Sequence, residues 1–211
     1  MTDDKMNALQ VLMDDLPQDF ISWNPYEPKY FGAETRSLSF FGEVTEHKTE
    51  AIISQLMHLE HLSEEDPITI FLNTEGGSLT DGLAIYDCIT QLTCPVVIVA
   101  TGLCSSAGLI ILAAGDYRIA TPNTIFFYHQ PIVSTGAVNS TQDMASFNEH
   151  YLHCQTVADT IIKQKSRIKK SDWNKHFHGK TSYYFDANIA LSFKMIDHIT
   201  ESKKIKFKIR K

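Results

Sequence analysis

Three short stretches carry residue types whose combination can perform acyl transfer. The first, Asn73-Thr74-Glu75-Gly76-Gly77-Ser78, places two glycines after an apolar run and before a helical one. Glycine there permits positive φ and close backbone approach, so that N–H groups can face a developing negative charge. Read alone, the stretch is a tight strand-to-helix turn closed by a serine cap. The second, Gly102-Leu103-Cys104-Ser105-Ser106-Ala107-Gly108, again stands between an extended run and a helical one. A serine at a helix start can act as a nucleophile, because free N–H groups and the helix dipole stabilise an oxyanion, yet the same position suits a cap. The third, Tyr128-His129-Gln130-Pro131, puts a histidine at the end of an apolar extended segment, where by itself it reads as structural. Co-occurrence changes the weighing: nucleophile, base and oxyanion donors arrive within one compact unit. The arrangement is not the G-x-S-x-G elbow, since Cys104 holds the first glycine position relative to Ser106 and Leu103 does so relative to Ser105.

Other constellations carry less. Gly179-Lys180-Thr181 matches the end of a phosphate-binding loop, but Asn174 stands where its first glycine is required. His58 with His61, and His150 with His153, are spaced three apart on expected helices without a third ligand nearby, so solvated helix faces are expected and no metal. No cofactor is expected either.

The elements that must position these residues follow from hydrophobic period. Leu38–Phe41 reads as extended, 48–62 as helical, and Ile68–Asn73 as a short apolar strand ended by the glycines. A helix is expected from about Leu79 to Leu92 and a buried strand over Val96–Val99. Ala107–Ala114 is apolar on every face, which suits a helix buried all round. Two further extended segments, 116–120 and 124–128, flank the turn signal Pro122-Asn123. Apolar residues at Met144, Phe147, Tyr151, Val157 and Ile161 or Ile162 predict one long helix over 141–165. Strands separated by helices imply βα units and an α/β core with a long helical appendage.

Composition bounds the function classes. The 211 residues are 43% hydrophobic and 21% charged, enough for one substantial core, and the net charge of −6 offers no general basic field for nucleic acid. Residues 201–211 are an exception, a basic tail alternating with apolar residues that reads as solvated. No apolar run approaches the roughly 18 residues of a membrane span, and residues 1–5 lack a secretory layout, so a cytoplasmic location and no membrane contact are expected. The four cysteines are scattered without a C-x-x-C pair. Residues 1–35, with three prolines among aromatics, read as an N-terminal arm, and 36–200 as a single domain.

In combination these residues resemble the Clp protease proteolytic subunit family, from about Leu38 to Ile199. The family pattern Asn-Ser-Pro-Gly-Gly-Ser is similar to residues 73–78, its Gly-x-Ala-Ala-Ser-Met-Gly to residues 102–108, and its His-Gln-Pro is intact at 129–131. The resemblance implies Ser106 as nucleophile, His129 as its base, and an oxyanion hole from the N–H groups of Gly77 and Ala107. It implies an α/β, crotonase-like ββα superhelix, with a handle strand and helix over about 132–166 joining two stacked seven-membered rings around a closed chamber. The substrate would be unfolded protein or short peptides bound as an added strand, and the partner a hexameric ATPase unfoldase. Two departures stand out. The family's catalytic aspartate falls, counting back without gaps from Ala187 and Asp197, on Ser182, with Asp172, His178 and Asp186 nearby but out of register. A hydroxyl there can accept a bond from the imidazole but stabilises its cation less than a carboxylate. Residues before Leu38 do not resemble the family's axial loop and first helix. The alternatives are therefore a catalytically weak structural or regulatory subunit of such an assembly, and a viral-type maturation protease on the same fold. A crotonase-like acyl-CoA enzyme is more distant.

Overall fold

The computed structural model describes residues 35–130, 141–178 and 182–201. The expected arm, the handle strand, the Gly179-Lys180-Thr181 stretch and the basic tail lie wholly or almost wholly outside them. Among the described residues, seven strands join in one sheet in the order β1-β2-β3-β4-β7, with β5 paired to β3 and β6 to β5. In chain order these are β1 (Ser37–Phe41), α1 (Glu46–Leu62), β2 (Ile68–Thr74), α2 (Leu79–Gln91), β3 (Val96–Ser105), α3 (Ala107–Ala114), β4 (Tyr117–Ala120), β5 (Ile125–Tyr128), α4 (Thr141–Gln164), α5 (Lys170–His176), β6 (Tyr183–Asp186), α6 (Ala187–Ser192) and β7 (His198–Ile199). All pairings are parallel except β5 with β6.

Each element buries the face that its sequence period dictates. Along β2, alternate residues Ile68, Ile70, Leu72 and Thr74 are buried. On α1 the stripe is Ile52, Leu56 and Leu59, and on α2 it is Gly82, Ile85 and Ile89. All eight residues of α3 are buried, as its uniform apolarity predicts. Gly82 lets α2 approach α3 closely, since a Cβ there would lie 3.0 Å from the Ala107 Cβ.

The edges are tied down by charged groups. The Arg36 guanidinium, just before β1, donates to the carbonyls of Leu59 (2.7 Å), Ser63 (3.0 Å) and Asp66 (2.8 Å) at the end of α1. The Leu59 carbonyl also accepts from the Ser63 N–H at 3.1 Å, and Ser63 and Asp66 lie just past the helix, so one side chain ties the C-terminal end of α1 to the edge strand. At the other edge Arg118 on β4 holds Asp197 through Nε and a terminal nitrogen, at 3.0 and 3.1 Å.

The strand β3 forks the sheet. Its first part, Val97–Ala100, pairs with β4, and its last part, Leu103–Ser105, pairs with β5. Between them the register against β2 slips, from Leu72↔Ala100 to Thr74↔Cys104. Gly102 takes φ +61° in this bulge and Asn73 Oδ1 accepts from the Leu103 N–H at 3.0 Å. The strand therefore runs to Ser105, six residues beyond the expected end at Val99, because polar and small residues continue the ladder where no apolar period marks it.

Candidate active site

Ser106 stands where β3 ends and α3 begins. Its backbone is strained, with φ +54° and ψ −119°, and its N–H donates to the Phe127 carbonyl of β5 at 2.8 Å. It occupies the N-cap position of α3, yet its hydroxyl makes no capping hydrogen bond. The Ser106 side chain therefore satisfies none of the first N–H groups of α3, although the Ser106 carbonyl accepts from the Leu109 N–H at 2.9 Å. Ser105, one residue earlier, is 2% exposed inside the sheet, whereas Ser106 is half-buried and faces a cleft of about 530 Å³. Cys104 is fully buried, and burial pushes its thiol well above the ordinary range, which removes it as a nucleophile.

The glycine turn after β2 borders the same cleft. Gly76 and Gly77 have φ of +91° and +144°, and a Cβ on Gly76 would lie 2.6 Å from the Ser106 Cβ, so only glycine fits beside the serine. The turn is braced twice. Thr74 Oγ1 donates to the Gly42 carbonyl at 2.6 Å and accepts from the Gly76 N–H at 3.0 Å. Val44 N–H donates to the Gly76 carbonyl and Ser78 N–H to the Val44 carbonyl, so this parallel bridge uses the groups on either side of the Gly77 N–H. Ser78 does cap its helix, accepting from the Asp81 N–H at 3.3 Å.

His129 follows β5. The parallel register Ser105↔Phe127 carries Ser106 and His129 to the same end of adjacent strands, and both border the cleft. The His129 ring is stacked on Phe127, with centroids 5.1 Å apart and planes at 16°. Its Nδ1 lies 2.7 Å from the Gln130 carbonyl. A carbonyl only accepts, so Nδ1 carries a proton, and in the neutral imidazole this leaves the lone pair on Nε2. No hydrogen bond joins His129 to Ser106 or to Ser182 in this state.

Ser182 is exposed, immediately before β6. The antiparallel ladder of β5 with β6 ends at Tyr128↔Tyr183, so His129 and Ser182 each lie one residue beyond its last pair. The neighbouring carboxylate Asp186 is committed elsewhere, its Oδ1 accepting from the Ile189 N–H at 2.9 Å to cap α6. Asp172 lies in the first turn of α5, and His178 is exposed just past its end.

The far wall comes from α4, whose Phe147, Tyr151, Cys154, Gln155 and Ala158 recur at helical spacing along the cleft. His150 also borders it, whereas His58, His61 and His153 are exposed. No group of three or more metal-ligating side chains occurs among the described residues. A polar cluster escaped the sequence reading. Tyr128 Oη donates to Asp159 Oδ1 at 2.8 Å, and Gln155 Nε2 reaches the same oxygen at 2.6 Å. Burial raises the Asp159 carboxyl above its ordinary range despite these donors, and burial with the adjacent Asp159 raises the Tyr128 phenol. Only the helical spacing of Gln155 and Asp159 on one face could have signalled it.

The fold and site together define a crotonase-like α/β superhelix with a serine, a histidine and a glycine turn at one cleft. Comparison with known proteins gives the family. A family model described as Clp protease matches residues 30–203. A Streptococcus sanguinis protein called "ATP-dependent Clp protease proteolytic subunit" is 30% identical over 172 residues, covering 81% of this chain and 87% of its own. A Streptococcus pyogenes protein of the same name is 29% identical over 173 residues, with the same coverage. Among solved structures, a mutant of ClpP1 from Listeria monocytogenes superposes with a TM-score of 0.71 at 25% identity, over 81% of this chain and 94% of that one. The chain belongs to the Clp protease family.

Proposed function

We propose that the chain is a serine endopeptidase subunit that hydrolyses peptide bonds in unfolded proteins or short peptides through an acyl-enzyme on Ser106. His129 Nε2 takes the Ser106 proton as Oγ attacks the scissile carbonyl. The N–H groups of Gly77 and Ala107 receive the oxyanion. His129 then protonates the leaving amine, and a water activated by the same nitrogen hydrolyses the ester. The observation that carries this reading is the serine at a helix start held at φ +54° with its hydroxyl uncommitted, on a cleft it shares with His129 and the glycine turn.

The subunit assembles, in this proposal, into two stacked seven-membered rings in the cytoplasm, fed by a hexameric ATPase unfoldase. Residues 36–200 form its peptidase domain, with the arm and the tail on either side. Support comes from the names of the relatives and from α4, which leaves Met144 and Leu152 47% and 60% exposed for a neighbouring subunit to cover. Among the described residues no helix is long and apolar enough to cross a membrane. A second reading, a catalytically weak subunit of the same assembly, is favoured by the exposed hydroxyl at Ser182. Assay of the assembled chain on a fluorogenic peptide separates them. Hydrolysis abolished by Ser106→Ala supports the peptidase. Assembly without hydrolysis supports the weak subunit.

A further inference from the structure

The imidazole of His129 has no carboxylate behind it, and the bond it does make is local. Gln130 is the next residue, so its carbonyl accompanies His129 in any arrangement of the turn and cannot by itself hold the ring relative to Ser106. The tertiary restraint comes from a row of rings. Tyr184 on β6 is the cross-strand partner of Phe127, their centroids 4.0 Å apart and planes at 17°, and Phe127 in turn stacks on His129. Phe127 and His129 are two residues apart and share one face of the strand.

We propose that the row Tyr184–Phe127–His129 positions the catalytic imidazole in place of the missing carboxylate, with Tyr184 as a positioning residue acting through Phe127. The stack fixes the plane of the ring, and the Nδ1–H donated to Gln130 fixes which edge turns inward, leaving Nε2 for Ser106. Phe127 also offers its face to the imidazolium that forms on proton transfer. Tyr184 is 63% exposed, so burial does not account for a large aromatic at this place. This assignment rests on the peptidase reading above.

The test uses the assembled full-length chain and reads kcat and KM on a fluorogenic peptide, together with the ring-proton resonance of His129, assigned by its loss in His129→Gln. Tyr184→Leu should lower kcat by about three- to tenfold with KM within about twofold, and should move the His129 resonance as the stack loosens. Tyr184→Phe, which keeps the ring, should recover both. In a Ser182→Asp background, which puts a carboxylate at the counted aspartate position, the loss from Tyr184→Leu should shrink. An unmoved His129 resonance in Tyr184→Leu overturns the row whatever the activity, and so does an unchanged kcat in a wild-type-active chain. Absence of all hydrolysis in the wild type, with a resonance that still responds, sinks the peptidase reading while supporting the row as what orients the ring.

Discussion

Two serines open two neighbouring helices, and the chain uses them in opposite ways. Ser78 follows the glycine turn after β2 and spends its hydroxyl on the Asp81 N–H, as a helix cap does. Ser106 follows the bulged end of β3 in a strained conformation, and its hydroxyl makes no such bond. Local sequence does not separate them, since each is a serine between a strand and a helix. The difference lies in what surrounds them. Ser78 N–H is bonded to the Val44 carbonyl and its turn is braced by Gly42–Val44, whereas Ser106 is clamped at its N–H by Phe127 and pressed against Gly76. A serine that caps stabilises a helix. One that does not cap leaves its hydroxyl uncommitted, as the proposed role of nucleophile requires.

The sharpest way to break this contrast is Ser106→Ala. Peptide hydrolysis should fall by about 10⁴-fold or more, while the thermal midpoint stays where it was because no capping bond is lost. A clear drop in stability would make Ser106 a cap after all. Gly76→Ala comes next. Its Cβ would sit 2.6 Å from that of Ser106 at φ +91°, so turnover should fall at least about 100-fold through displacement of the nucleophile. Strain of about 1–3 kcal/mol should appear in urea unfolding.

Gly108→Ala sharpens the contrast from the helix side. Alanine favours a helix by about 1 kcal/mol over glycine. Here, however, the new Cβ would lie 2.5 Å from Thr74 Cγ2, and the collision should make the variant less stable by about 1–3 kcal/mol. Thr74→Ser removes that methyl and keeps the oxygen that holds Gly42 and Gly76, so the double variant should recover most of the loss in denaturant titration. The smallest effect is expected at the capping serine: Ser78→Ala should cost about 1 kcal/mol of stability, measured the same way.

Much of this site was legible because its parts are local. Glycines after a strand, a serine before an all-apolar helix and a histidine at a strand end are each ambiguous alone, and their co-occurrence is what points to the cleft. Ala107–Ala114, Leu79–Gln91 and Ile68–Thr74 fall within a residue or two of the sequence expectation, because the first is apolar throughout and the other two carry a clear apolar pattern. Nothing in the sequence reading assigned α5, β6, α6 or β7. These are four, six or seven residues long or shorter, and are held by pairing with distant strands and by aromatic packing of Phe177, Tyr183 and Phe185 rather than by a period of their own. The same non-locality hid Tyr184 and the Tyr128–Asp159 bond. Residue 184 meets 127, and 159 meets 128, only once the chain is folded. Counting pointed to Ser182, and the fold adds that it is exposed and lies, like His129, one residue beyond the last pair of the β5–β6 ladder.

The most direct test of Ser106 as an uncommitted, activated nucleophile is to treat the assembled chain with a fluorophosphonate and locate the adduct by peptide mass mapping. The account predicts one adduct, on Ser106, that disappears in His129→Gln. An assembled chain that takes no adduct, or takes it on Ser78 or Ser105, contradicts it.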